Sequence, residues 1–323
     1  MRVVVTGATG FIGGAAARAL HRSGHDVTGI GRNQEAGEQL RADGIHFVWM
    51  DIRRPYWVDL LEGTDVVVHA AAAHTVWDTW ETYRDTNVEA SATLARSCKA
   101  FGTRMVYISH SAVYNLSDRK WNIPESQPCG PRFDSRYSMS KYLAEQEIQQ
   151  VLPGACILRL RRVYGPGDTT FLPRVAGAIR DGRLPRLTRG EVRNQLLHIG
   201  NAVEAIELAV GSRISGPVNL GDTELVGMWS LVDRVADAIG TPRPKRYLPA
   251  GVAVLAAKTV EWWARRRQSL EPPFTVGEVR ILTRGLSLDL TRAHTELGYW
   301  PVVETEAGLR AAIDALRPRR AAP

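Results

Sequence analysis

Val3-Val4-Val5-Thr6-Gly7-Ala8-Thr9-Gly10-Phe11-Ile12-Gly13-Gly14 begins with an apolar run and leads into an Ala-rich stretch of helical spacing. The run suits a strand buried on both faces, and a helix is expected to start near Ile12, so Gly7, Gly10 and Gly13 fall around the turn between them. Glycines there let the backbone turn tightly, approach an anion and aim helix N-terminal N–H groups at it, an arrangement suited to a dinucleotide pyrophosphate.

The same alternation continues outward. Short β-branched runs at 26–30, 46–50, 66–69, 104–108 and 156–160 are separated by helix-like stretches such as 14–23 and 87–100. Repeated βαβ units of this kind predict an α/β fold with a doubly wound parallel (Rossmann) sheet. Beyond residue 165 prolines and glycines break the chain into shorter pieces. Two units are therefore expected: a dinucleotide-binding domain over 1–165 and a smaller, irregular substrate domain over 166–323, with a segment near 216–220 able to return to the main sheet.

A chain of 323 residues has room for two such units, and 44% hydrophobic with 23% charged residues is ordinary globular usage, which excludes a disordered, collagen-like or coiled-coil chain. The net charge of +7 favours phosphate-bearing ligands. It does not point to nucleic acid, because the arginine clusters at 265–267 and 317–320 accompany no base-stacking or zinc motif and read as solvated surface. Three widely spaced cysteines, Cys98, Cys129 and Cys156, form neither a metal motif nor a disulfide framework. With no charged leader and no apolar run of about 18 residues, a cytoplasmic protein without a transmembrane segment or metal is expected.

The second strand ends at Ile30-Gly31-Arg32-Asn33, where an acid would accept hydrogen bonds from a ribose 2′-hydroxyl. That acid is missing. Gly31 leaves space and Arg32 offers a planar cation suited to a 2′-phosphate, which favours NADP over NAD. Asp51 and Ile52, at the next strand end, are placed to flank the adenine. Farther on, Tyr137-Ser138-Met139-Ser140-Lys141 puts Tyr137 and Lys141 on one helix face, where an ammonium can lower the phenol pKa and hold a ribose. Tyr137 is then the general acid or base at a carbonyl or carbinol oxygen.

Together with His69-Ala70-Ala71-Ala72, Thr86-Asn87-Val88 and Val163-Tyr164-Gly165-Pro166-Gly167-Asp168, these motifs resemble the extended short-chain dehydrogenase/reductases (NAD(P)-dependent epimerase/dehydratase family) over nearly the whole chain. The resemblance implies that Gly7, Thr9, Gly10, Phe11, Ile12 and Gly13 cradle the cofactor and that Ala70, Ala71 and Ala72 line it. It also implies that Asn87 supports the active-site helix, that Ser109 lies by the cofactor, and that Val163 meets the nicotinamide end. The family usually places a hydroxyl residue where this chain has His110 in Ser109-His110-Ser111-Ala112-Val113-Tyr114. Ser111 is the favoured substitute, Ser109 and His110 remain alternatives, and a His110 packed under the loop is the structural reading.

In the second half, Arg193-Asn194 and His198-Ile199-Gly200-Asn201 stand where nucleotide-sugar enzymes of the family carry an Arg for the diphosphate and an Asp. Asn194 and Asn201 resemble the 3β-hydroxysteroid dehydrogenase-like branch, as does the tail around Leu288-Asp289-Leu290. The expected function is an NADP-dependent oxidoreductase interconverting a secondary alcohol and a ketone on a hydrophobic small molecule. The alternative is a nucleotide-sugar 4-epimerase or dehydratase with transient oxidation, kept open by Arg193, and the third reading is a regulatory binder that has lost catalysis. Relatives often dimerise through helices, so a homodimer is the implied assembly. An amphipathic helix is expected over 251–267, with Trp262-Trp263 serving as a lid, as a membrane-surface contact or simply as packing.

Overall fold

The computed structural model describes residues 1–54, 60–73, 77–114, 120–267, 272 and 274–317. Of the arginine clusters, residues 318–320 and the side chains at 265 and 267 lie outside the described residues. The first half comprises β1 (Arg2–Thr6), α1 (Phe11–Arg22), β2 (Asp26–Gly31), α2 (Gln34–Ala42), β3 (His46–Trp49), β4 (Val66–His69) and α3 (Trp80–Tyr83). After a π-helical turn (Arg84–Glu89) come α4 (Ala90–Phe101), β5 (Arg104–His110), a 3₁₀ turn (Ser111–Val113), α5 (Arg136–Val151) and β6 (Cys156–Leu160). The second half holds β7 (Val163–Tyr164), α6 (Leu172–Arg180), β8 (Arg193–Gln195), β9 (Leu197–His198), α7 (Ile199–Gly211), β10 (Gly216–Leu220) and β11 (Leu225–Gly227). Helices α8 (Met228–Ala238), α9 (Ala250–Arg267), α10 (Val276–Thr283), α11 (Thr291–Thr295) and α12 (Thr305–Asp314) follow.

Seven strands form one parallel sheet in the order β10-β6-β5-β4-β1-β2-β3, a doubly wound arrangement with its switch point between β1 and β4. Strand residues alternate between two cores. Val3, Val5, Val66, Val68, Val106 and Ile108 pack on one face with α1 and α7, while Val4, Val67, Met105 and Tyr107 pack on the other with α4 and α5. The apolar runs are continuous because both faces are covered. Segments beyond residue 165 return to this body: β10 pairs with β6, and Ala293, Leu297 and Tyr299 join the first core. A separate core unites α6, α8, α9, α10 and α12 around Trp229, Leu231 and Val279. Among the described residues no helix is long and apolar enough to cross a membrane.

Helix α1 lies so close to the β1 turn that a Cβ added at Gly13 would sit 2.3 Å from the Gly7 carbonyl oxygen. Gly177, inside α6, has nothing within 4 Å of an added Cβ. Gly13→Ala is therefore expected to lower unfolding free energy by about 1–3 kcal/mol through overpacking. By contrast, Gly177→Ala should raise it by about 0.5–1 kcal/mol by relieving helix-interior glycine entropy. Urea unfolding of both variants checks the pair, and equal effects would contradict the packing argument.

Candidate active site

A cavity of about 890 Å³ runs from the β1 turn, past α5, to α10. At its first end Gly7 adopts φ 71°, and a Cβ there would lie 2.7 Å from the Ala71 nitrogen, so the two loops touch through backbone alone. The α1 N-terminus carries no side-chain cap and no acid in its first turn, which leaves its N–H groups available to an anion. Gly7, Thr9, Gly10, Phe11, Ile12 and Gly13 all line the cavity, as do Ala70 and Ala72. Ala71 packs behind them, and its N–H donates to Thr6 Oγ1 at 3.3 Å. Thr6 in turn meets buried His69, whose Nε2 lies 2.8 Å from Ser91 Oγ.

The ends of β2 and β3 lie outside the lining of that cavity. Gly31 was expected to leave room for a phosphate, but a Cβ there would be 2.4 Å from Thr9 Oγ1, so the space is taken by Thr9. Arg32 is exposed. Asp51 accepts the Arg53 N–H at 3.0 Å and its guanidinium at 2.5 Å, and Arg53 holds the carboxyl down at about 2, with Arg32 adding a smaller pull. Ile52 is buried.

Tyr137 and Lys141 sit in the first turns of α5, which Ser135 caps by accepting the Ser138 N–H at 3.0 Å. Both line the cavity. Tyr137 is half-buried between the Tyr83 and His110 rings, at 6.3 and 6.1 Å. Burial pushes its phenol up to about 12, and the cation that opposes this is Arg162 rather than the expected Lys141. Lys141 is buried; its Nζ donates to the Ile108 carbonyl at 2.6 Å and stands 4.2 Å from the centre of the Tyr107 ring. Burial pushes its amine down to about 7, with Glu145 pulling the other way.

Asn87, in the π-helical turn, accepts the Ala73 N–H at 2.7 Å and donates to the Ala73 carbonyl at 3.1 Å and to Ser140 Oγ at 2.9 Å. It thereby ties the alanine loop to α5. Of the three hydroxyl candidates, Ser109 donates to Glu145, Ser111 accepts from Arg161 at 2.8 Å, and His110 Nδ1 accepts the Ala112 N–H at 2.9 Å. All three line the cavity, as does Val163. Burial, with Arg162 and Arg161 nearby, keeps His110 well below the usual imidazole range, so it is neutral and its Nε2 carries the proton.

Sequence reasoning passed over Arg161 and Arg162, between β6 and β7, although an arginine doublet at a strand end of a parallel sheet was a readable signal. It also missed Glu145 and Arg159, whose ion pair at 2.6 Å is buried beneath α5. The contributions of α10 had no local signature.

Over residues 3–221 the chain matches the family described as NAD dependent epimerase/dehydratase. It belongs to that family. The chain is similar to a 2-alkyl-3-oxoalkanoate reductase of Stenotrophomonas maltophilia, to which it is 28% identical over 96% of its length and 98% of the relative's. A 4-hydroxy-2-methyl-3-oxo-4-farnesyl-3,4-dihydroquinoline-1-oxide ketoreductase of Stigmatella aurantiaca is 30% identical, over 98% of this chain and 96% of that one. Among solved structures, the UDP-glucuronic acid 4-epimerase of Bacillus cereus superposes with a TM-score of 0.76 at 22% identity, covering 98% of each chain, which speaks for the fold. The extended short-chain dehydrogenase/reductase resemblance is thus borne out, and the chain is an enzyme of that type.

Within this family fold, Arg193 is exposed and does not line the cavity, whereas Asn194 is buried and donates to the Ile281 and Arg284 carbonyls. Asn201 is a structural link, accepting the Val302 and Val303 N–H groups and donating to Asp222.

Burial of Lys141 has a measurable sign. The amine keeps its proton to about 10.5 in the unfolded chain but only to about 7 in the folded one, so between these values the unfolded chain binds more protons. The contribution of this residue to stability therefore rises with pH across that window. Urea unfolding of wild type and Lys141→Met at about pH 7 and about pH 10 should show their stability difference moving in favour of wild type at the higher pH. A pH-independent difference would contradict the shift.

Proposed function

We propose that this enzyme is an NADP-dependent oxidoreductase that interconverts a secondary alcohol and a ketone on a hydrophobic small molecule. The observation that carries the proposal is a single cavity joining an uncapped helix N-terminus to the Tyr137–Lys141 face of α5. The glycine turn, which lines the cavity at an α1 N-terminus without a side-chain cap, fits a dinucleotide pyrophosphate, with Gly10, Phe11 and Ile12 at the helix entry and Ala70 and Ala72 alongside. When bound, a nicotinamide supplies or accepts hydride.

The chain's own residues handle the proton. A phenol held near 12 by burial is protonated at neutral pH and donates to a developing alkoxide oxygen, the task of the general acid in carbonyl reduction. Lys141, fixed by the Ile108 carbonyl, holds the ribose side and supplies a nearby proton. The hydroxyl of Ser111 and the protonated Nε2 of His110 are the two donors available to orient the carbonyl oxygen, Ser109 being turned to Glu145.

Two relatives named as reductases of alkyl- or farnesyl-bearing ketones support the apolar substrate. Arg193 lies outside the cavity, which favours this reading over a nucleotide-sugar epimerase. For the cofactor, Arg32 is exposed just after β2, and the Asp51 carboxylate it acts on is bound mainly by Arg53, which supports a guanidinium available to a 2′-phosphate.

Tyr137→Phe should reduce ketone turnover by about 10²- to 10⁴-fold while leaving NADPH affinity near wild type. Retained activity in a steady-state assay would overturn the mechanism. Fluorescence titration should show NADPH bound more tightly than NADH, with Arg32→Ala narrowing that preference by about tenfold, the size of a lost charge-assisted hydrogen bond. Stoichiometric cofactor that survives dialysis, detected by mass spectrometry of the denatured protein, would instead favour the epimerase.

A further inference from the structure

Helix α9 buries Ala253, Ala257 and Ala264 on one side, where it packs against α10. At 3.6 residues per turn, positions 252, 255, 259, 262, 263 and 266 fall on the opposite side. There Leu255 is 65% exposed, Val252 and Trp262 are each 51% exposed, and Trp263 is 49% exposed. A helix at a protein surface ordinarily turns polar residues outward, and one that is apolar all round is normally covered on every side. Among the described residues no other helix exposes more than one large apolar side chain.

Charge is concentrated in the same stretch. Between Arg243 and Arg267 the sequence holds seven Lys or Arg residues and one acid, Glu261, while the net charge of all 323 residues is only +7. Arg243 pairs with Asp237 at 2.6 Å. Lys245 and Arg246 are exposed ahead of the helix, and Lys258 and Arg266 are exposed along it. The Arg266 guanidinium carbon stands 4.1 Å from the centre of the Trp262 ring, so a cation and an aromatic share the outer face. Glu261 belongs to the other side: it lines the active-site cavity and accepts the Val276 N–H at 2.8 Å. The outer face of α9 is therefore apolar and basic, with no acid in it.

We propose that α9 docks this enzyme on a bilayer containing anionic phospholipid. The helix lies along the surface, since among the described residues no helix is long and apolar enough to cross. Leu255, Trp262 and Trp263 enter the boundary between headgroups and acyl chains, the depth that indole rings favour. Lys258 and Arg266 extend their charged ends to the lipid phosphates while their stems stay with the apolar side chains. A second copy of the chain is a poorer occupant, because a twofold contact sets the face against itself and opposes like charges. Glu261, on the same helix, lines the cavity, so docking brings one wall of the active site next to the lipid. The inference rests on α9 and its charge, and it holds whether the reaction is a ketone reduction or an epimerisation.

The test is co-sedimentation of the full chain with vesicles of phosphatidylcholine alone or mixed in equal parts with phosphatidylglycerol. Wild type should bind the mixed vesicles, bind phosphatidylcholine about tenfold or more weakly, and lose affinity as salt is raised. Lys258→Gln combined with Arg266→Gln should lower partitioning onto mixed vesicles by about 10- to 30-fold at low salt, roughly fivefold per cation. Trp262→Ser combined with Trp263→Ser should lower it by about tenfold or more through lost apolar burial. Arg96→Gln with Lys99→Gln, two exposed cations of α4, should leave it near wild type. An equal loss in that control pair would show that overall charge attracts the vesicles and would overturn the docking helix. Absence of vesicle binding, equal binding to both lipids, or indifference to either α9 pair would overturn it too. So would a dimer, seen by light scattering without lipid, that Leu255→Glu dissociates, since a second copy would then own the face.

Discussion

A carboxylate with no exposure to solvent, Glu145, determines how α5 lies on the sheet. Arg159 of β6 reaches it at 2.6 Å, Ser109 of β5 donates to it, and the Arg159 guanidinium extends at 3.0 Å to Tyr114, which donates to Asn219 of β10 at 2.6 Å. A buried charge pair of this kind adds little net stability, yet leaving either partner alone costs about 3–5 kcal/mol, so the register it selects is strongly enforced. Tyr137, Lys141 and Glu145 follow one another at four-residue steps on α5 and share a face. Pinning Glu145 therefore pins the rotation of the helix and the direction of the Tyr137 and Lys141 side chains.

The second restraint is neutral. Asn87 joins Ala73 of the loop after β4 to Ser140, and Ser140 donates to the Tyr137 carbonyl at 2.8 Å. An amide can accept and donate at once, which lets one side chain hold two backbones in fixed relation. The π-helical turn around it adds a residue to the helix path and aims Asn87 inward, a use of such turns that recurs at functional sites. The alanine loop beside the β1 turn and the Tyr137 end of α5 are thus coupled through one residue.

Electrostatics then divides the cavity. Around α5 burial dominates, holding the phenol protonated and making the lysine amine easy to deprotonate. Toward α10 the same burial acts on Arg161 and Arg162, while the neighbouring carboxylates Asp134 and Glu278 pair with Arg280 and Arg174. One physical cause, removal of water, raises the pKa of the Tyr137 phenol and lowers those of Lys141 and Arg161 in the same cavity.

The parallel sheet and the glycine turn after β1 were legible in the sequence because they depend on local pattern: β-branched runs for strands buried on both faces, and glycines where backbones touch. The pairing of Tyr137 with Lys141 was legible for the same reason, being a spacing along one helix. Long-range choices were not. Gly31 reads locally as open space, and only the fold brings Thr9 into it. Lys141 reads as the cation that acts on Tyr137, whereas folding gives that part to Arg162 from another strand end. The partners of Glu145 and Arg161 come from β5, β6, β8 and the 3₁₀ turn after β5, separated by 14 to 50 positions in the chain, and no periodicity encodes such meetings. Local backbone geometry and helical spacing let the sequence determine the scaffold and the Tyr137–Lys141 pair, while the environment that sets their charge states arose only when distant segments shut out water together.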